Sequence, residues 1–247
     1  PILEQVTETT AELLRFWFQQ DYQDTRSINF HPGQRQAILN TIYAHEVLKP
    51  KTLGELYHAL APDVLLESYS KAKSMEEPKN NYPKYCLKMA TGTGKTWVLQ
   101  ALLIWQLLNA NRAREDERFT RNFLIVAPGL IVYDRLLDAF MGKQRGGERL
   151  FEESDLYRFQ ELFIPETNRE EVFRFVQSAV CAKQDIGRKV TSGGLIAIAN
   201  WHILSEEGET LDEDEEQDGL VMPGQDLDPV AVVQSILPLT PGTSQGN

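Results

Sequence analysis

Along the first third of the chain, apolar residues recur at helical spacing. Residues 7–19 open with cap-type residues, and Leu13, Leu14, Trp17 and Phe18 follow on one side of an amphipathic helix. Residues 20–31 are polar and turn-like, and Pro32-Gly33 punctuates them. Residues 34–48 read as a second helix through Ala37, Ile38, Ile42 and Val47. Residues 51–69 are expected to be helical as well. The stretch KAKSMEEPKNNYP, residues 71–83, is charged, prolyl and rich in Asn, so it reads as a loop.

From residue 84 the pattern changes to alternating short and long apolar runs. Residues 84–89 read as a strand and 95–109 as a helix, with a charged connector at 109–121. The run NFLIVA, residues 122–127, is continuous, as expected for a strand buried on both faces of a parallel sheet. Pro128-Gly129 ends it, and residues 130–141 read as a helix. A Gly- and charge-rich loop covers 142–153, a helix is expected at 169–181, and GLIAIA at 194–199 is another buried strand. This β-α-β-α-β order predicts an α/β fold, with a parallel sheet flanked by helices and preceded by an N-terminal helical segment. Beyond 205 the periodicity stops, apart from one short helix expected at 230–237. The expected organisation is a helical segment 1–83, an α/β domain 84–204, an acidic flexible insert 205–229 and a tail 230–247.

Charge changes the picture only once it is located. The formal net charge is −11, which argues against a polyanionic partner. Nine acids and no base lie in EEGETLDEDEEQD, residues 206–218, and outside that run the chain is nearly neutral. Residues 84–145 carry ten Lys/Arg against five Asp/Glu, enough for a basic face. No apolar stretch is long enough to span a membrane, and the start, PILEQVTETT, lacks the pattern of a secretory leader. The two cysteines, Cys86 and Cys181, have no metal-ligand spacing. Cys86 is expected as a buried free thiol, and a reducing cytoplasm is the expected setting.

The chemistry is concentrated in MATGTGKT, residues 89–96. Gly92-Thr93-Gly94-Lys95-Thr96, with Thr91 before it, has the form of a Walker A phosphate loop. Glycines let successive amides point into one concavity that cradles phosphates. Lys95 would place a point charge on the β- and γ-phosphates of ATP, and the Thr96 hydroxyl would ligate Mg²⁺. A helix starting at the loop completes the anion site with its N-terminal amides. Met89 stands where the general pattern has its first Gly, a mild departure. The acidic partner that hydrolysis requires, an apolar run ending in Asp-Glu, is not found, and the acids at 212–216 follow no strand.

Four blocks occur in order: FHPGQRQAI (30–38), MATGTGKT (89–96), FLIVAPGLIVYDRL (123–136) and LIAIANWHIL (195–204). Together they resemble the first motifs of superfamily two helicases of the DEAD/DEAH type. The likeness is greatest to the helicase subunits of type III restriction enzymes. The resemblance implies an incomplete RecA-like domain that ends before motif II. It implies ATP-dependent translocation or unwinding of nucleic acid, with DNA the expected polymer, in prokaryotic defence. Gln34 corresponds to the family's adenine-reading glutamine. His31 and Gly33 stand where Arg and Tyr are usual, which weakens adenine stacking and selectivity. Pro128, Gly129 and Arg135 correspond to a block that contacts the nucleic-acid backbone, and Asn200 and His202 to a strand end that faces nucleic acid. The remaining implied partners are a second helicase domain and a methyltransferase subunit. Two other readings stay open: a nucleotide-binding module that does not hydrolyse ATP, and a phosphate-loop ATPase that does not act on nucleic acid.

Overall fold

A computed structural model describes residues 2–66, 69–186, 188–189, 191 and 193–201. The expectations for the acidic insert, the tail and His202 lie outside the described residues. In chain order the helices are α1 (Glu8–Phe18), α2 (Gln20–Gln23), α3 (Pro32–Ile42), α4 (Leu53–Leu60), α5 (Pro62–Leu66), α6 (Tyr69–Met75), α7 (Lys95–Arg112), α8 (Leu130–Met141), α9 (Asp155–Arg158), α10 (Gln160–Phe163) and α11 (Arg169–Ala179). The strands are β1 (Asn122–Ala127), β2 (Gln144–Arg145), β3 (Glu148–Arg149), β4 (Val180–Cys181) and β5 (Leu195–Asn200). The chain divides into two units. One comprises the described residues of 1–120 with 160–169, and the other those of 121–159 with 170–201.

The first unit is helical and is built around α7. Ten of its 18 residues are buried, among them Val98, Ala101, Ile104, Trp105 and Leu108. A helix that is apolar on nearly every side belongs inside a core, and α1, α3 and α10 all pack on it. Helix α1 starts where the Thr7 hydroxyl accepts from the Thr10 amide, and it buries Leu13, Leu14 and Trp17. The Trp17 indole donates to the Phe163 carbonyl at 3.0 Å, which ties α1 to α10. Helix α3 continues into a wider π-type turn, Tyr43–Leu48, that ends at Lys49 with φ 51°. This turn brings the fully buried carboxylate of Glu46 to three donors: the Thr7 amide, the Thr10 hydroxyl and the Trp105 indole. Beside it, His45 lies edge-on to Trp105, with centroids 5.2 Å apart, and gives its Nε2 proton to the Arg118 carbonyl at 2.7 Å. Burial pushes the His45 imidazole below its ordinary pKa of 6.5.

Several expectations fail in this unit, beginning with the stretch 20–31 read as turn-like, whose first residues form helix α2. The helix expected at 51–69 is interrupted at Ala61-Pro62, because proline supplies no amide to continue the ladder. Helix α6 occupies the start of the stretch read as a loop. Residues 84–89 form no ladder with any described strand. Their burial nevertheless alternates: Tyr85, Leu87 and Met89 are half-buried, and Lys84, Cys86 and Lys88 are exposed. Tyr85 and Leu87 line a cleft of about 440 Å³ together with Leu53, Leu56 and Leu60. The segment therefore has the side-chain periodicity of a strand without the pairing. Cys86 is exposed at the same cleft, contrary to the expected burial, whereas Cys181 is buried.

The second unit contains a parallel three-stranded sheet in the order β1-β5-β4, flanked by helices. Asn122 pairs with Leu195, and the register runs to Ala127 opposite Asn200. All six residues of the central strand β5 are buried. β1 forms an edge of the described sheet and is mostly half-exposed, so the expected two-sided burial holds for β5 and not for β1. Helix α8 packs on both strands. Helix α11 stops at Ala179, and Val180 and Cys181, read from periodicity as its last turn, pair instead with β5.

Candidate nucleotide-binding site

The sequence GTGKT forms a tight loop that runs directly into α7. Gly92 and Gly94 adopt φ values of 76° and 71°, a left-handed conformation open to glycine and costly for other residues. Thr93 closes the turn by donating its hydroxyl to the Ala90 carbonyl at 2.7 Å. Gly94 is the N-cap of α7, and no side chain caps that end. The first amides of an 18-residue helix are thus left for an anion, with the positive end of the helix dipole behind them. Lys95 and Thr96 are its first two residues. Lys95 is exposed and forms no ion pair among the described residues. Thr91 and Gly92 are also exposed, and a Cβ at Gly92 would meet nothing within 4 Å, so the outer face of the loop is open. This donor set fits a triphosphate: uncapped amides, one exposed cation and a hydroxyl able to bind Mg²⁺.

The loop is held from behind by the start of α3. His31 is the N-cap of that helix, Pro32 occupies its first turn, and Gln34 completes a capping box. His31 Nδ1 accepts from the amides of Gly33 at 3.0 Å and Gln34 at 3.4 Å. Its Nε2 therefore carries the proton, which it donates to the Thr93 carbonyl at 3.0 Å. The Gln34 side chain, 3 % exposed, gives its two N–H donors to the carbonyls of Thr93 at 3.2 Å and Gly94 at 3.3 Å. Its own carbonyl accepts from the His31 amide at 3.0 Å. A Cβ at Gly94 would stand 2.3 Å from Gln34 Nε2, so this close approach, as well as the backbone conformation, requires glycine.

Of the residues singled out from sequence, Gln34, Thr91, Gly92, Thr93, Gly94, Lys95 and Thr96 come together in the first unit. Gln34 meets the loop backbone. His31 has a contact with the loop that sequence reading missed: histidine is not a usual N-cap residue, and only Gln34 and Pro32 followed the pattern of a helix start. Pro128, Gly129, Arg135 and Asn200 belong to the second unit. Pro128-Gly129 turns the chain from β1 into α8, whose N-cap, Gly129, is also without a side-chain cap. Arg135 is exposed on α8. Asn200 ends β5 in register with Ala127, at the carboxyl edge of the sheet, where open α/β sheets bind ligands. It is 4 % exposed, and its Oδ1 has no hydrogen-bond partner among the described residues. His202 lies outside the described residues. No group of three or more His, Cys, Asp or Glu side chains placed to hold a metal ion occurs among the described residues.

No helix among the described residues is long and apolar enough to cross a membrane. No curated protein and no solved structure matches the chain. Residues 27–215 match the family described as the type III restriction enzyme, res subunit. That span contains the His31–Gln34 cap, the phosphate loop, the Pro128-Gly129 turn and the strand ending at Asn200. It makes the chain an ATP-dependent helicase-like domain, a member of the type III restriction enzyme res subunit family.

Proposed function

We propose that the chain binds ATP and Mg²⁺ as the nucleotide-binding part of an enzyme that translocates on or unwinds nucleic acid, with DNA the expected polymer and restriction or phage defence the expected setting. The observation that carries this reading is the uncapped N-terminus of α7 under a left-handed glycine loop, with Lys95 and Thr96 as its first residues. The loop amides and Lys95 would hold the β- and γ-phosphates, and the Thr96 hydroxyl would ligate Mg²⁺, which neutralises charge on the phosphates. Pro128, Gly129, Arg135, Asn200 and His202 are proposed to face the nucleic-acid backbone. The uncapped N-terminus of α8 favours a phosphate contact at Gly129. A second helicase domain and a methyltransferase subunit are proposed partners, and the cytoplasm is the proposed compartment.

A nucleotide-binding module without turnover is the second reading: the phosphate-loop amides, Lys95 and Thr96 account for binding a triphosphate and by themselves carry no step of hydrolysis. Titration with a fluorescent ATP analogue, alongside a phosphate-release assay with and without nucleic acid, tests both readings. Mg²⁺-dependent binding that Lys95→Ala weakens is the expected result. Absence of binding to the wild-type chain would refute the proposal. Nucleic-acid-stimulated release at helicase rates would refute the second reading.

A further inference from the structure

Helix α3 has a histidine at its N-cap, where Ser, Thr, Asp or Asn is usual. Those side chains end in one short cap. An imidazole instead carries two nitrogens on different sides of a ring, and at His31 both are engaged. Nδ1 accepts from the amides of Gly33 and Gln34, which closes the first turn of α3. Nε2 donates to the Thr93 carbonyl of the phosphate loop at 3.0 Å. The ring is folded back over the start of its own helix. A Cβ at Gly33 would stand 3.0 Å from His31 Cε1 and 3.3 Å from Nδ1, so the glycine leaves the ring its room. We infer that His31 is a positioning residue of the phosphate loop, whose imidazole couples the cap of α3 to the Thr93–Gly94 peptide and sets the direction of that peptide's amide.

The physical logic is that of a brace. A trans peptide is planar, and its C=O and N–H point in opposite directions. A donor that holds the Thr93 carbonyl from the α3 side therefore turns the Gly94 amide away from α3. An amide held outward in this way is what a phosphate-binding loop presents to an anion. Gly94, at φ 71°, has no Cβ to resist rotation of that peptide, so its orientation has to be supplied by bonds from outside the loop. Gln34 donates to the same carbonyl at 3.2 Å, so loss of His31 loosens the peptide without freeing it. His31 acts on a bound triphosphate only through Thr93, and the inference rests on the phosphate-loop reading of the site.

Three substitutions separate the work of the two nitrogens. Asparagine puts an acceptor where Nδ1 stands and ends short of Thr93, so His31→Asn keeps the cap and loses the brace. Glutamine is one carbon longer and carries an amide donor to the place of Nε2, so His31→Gln keeps the brace and loses the cap. His31→Ala loses both. Displacement of a fluorescent ATP analogue from the whole chain measures affinity for the Mg²⁺ complexes of ATP and of inorganic tripolyphosphate, and thermal melting is followed without ligand. His31→Asn and His31→Ala are expected to weaken both ligands by about two- to tenfold, the range one hydrogen bond supplies, and His31→Gln to stay within about twofold of the wild type. Melting is expected to divide the variants the other way, with His31→Ala and His31→Gln about 2–4 °C lower and His31→Asn at the wild-type temperature. Affinities that follow the melting temperatures instead of the reach to Thr93 would overturn the inference, because His31 would then serve only as a cap. If the wild-type chain binds neither ligand, the phosphate-loop reading falls and this inference falls with it. Wild-type binding that His31→Asn and His31→Ala leave unchanged removes only the inference.

Discussion

Adding one methyl group to each glycine of the phosphate loop separates backbone strain from the brace behind it. Gly92 and Gly94 sit at φ 76° and 71°. For a residue with a Cβ, that conformation costs about 1–2 kcal/mol. At Gly92 the new carbon meets nothing within 4 Å, so Gly92→Ala carries that cost alone. At Gly94 it would lie 2.3 Å from Gln34 Nε2, and the buried amide must withdraw. Withdrawal gives up the bonds to the carbonyls of Thr93 and Gly94, worth about 1 kcal/mol each. Gly94→Ala should therefore cost about 3–4 kcal/mol, roughly 2 more than Gly92→Ala. The excess should vanish when Gln34 is truncated, because no amide is left to displace. In a Gln34→Ala background, Gly94→Ala should cost only about 1–2 kcal/mol. Urea unfolding followed by tryptophan fluorescence measures all four corners of the cycle, with Trp97 two residues past Lys95 as a local reporter. Equal costs for the two glycine variants would refute the reasoning. So would an undiminished Gly94→Ala cost in the Gln34→Ala background.

Because burial holds His45 below its ordinary pKa of 6.5, the unfolded chain takes up that proton first. The stability it contributes is complete above about pH 6.5 and is lost as the pH falls from there toward the folded value. Urea midpoints compared at about pH 7.5 and 5.5 should fall, and His45→Gln should flatten that slope; an unchanged slope would remove His45 as its source. Glu46→Ala removes the acceptor from the Thr7 amide, the Thr10 hydroxyl and the Trp105 indole. Since Thr10 and Trp105 keep each other as partners, the expected cost is about 2–4 kcal/mol in chemical denaturation, and a cost under about 1 would contradict the network. If Arg135 contacts a phosphate, Arg135→Ala should lower the slope of log affinity against log salt by about 1. Fluorescence anisotropy over a salt series checks this, and a loss that varies with base sequence would disprove a backbone role.

The elements legible in the sequence are those whose signal is local. β1 and β5 are unbroken apolar runs, and α8 begins after Pro128-Gly129 and spans the expected residues. The loop and α7 are fixed by GTGKT and the apolar run after it. What was not legible depends on pairing at a distance. Residues 84–89 alternate as a strand does, yet a ladder needs a neighbour, and no described strand supplies one. Cys86 is exposed because the cleft it lines is open to solvent, something a lone thiol in an apolar context does not reveal. Val180 and Cys181 continue the helical periodicity of α11 and were captured by β5 instead. At the site, the resemblance of the block FHPGQRQAI to the family's first motif located Gln34. Its contacts with Thr93 and Gly94, 59 and 60 residues away, came only from the packing of α3 on α7.

The sheathing of α7 has a mechanical consequence for the loop at its head. α1, α3 and α10 surround the helix, and the Glu46 and Asn109 hydrogen bonds tie it to Thr7 and Thr10 near its far end. A rod gripped along its length cannot slide or rotate without disturbing every layer around it. The other side of the loop, residues 84–90, is restrained by side chains on one face and by no ladder with a described strand. The phosphate loop thus joins a helix packed on several sides to a segment held by side-chain contacts. A change imposed on α7 would therefore have to be shared with α1, α3 and α10, whereas one imposed on residues 84–90 meets no backbone ladder with a described strand.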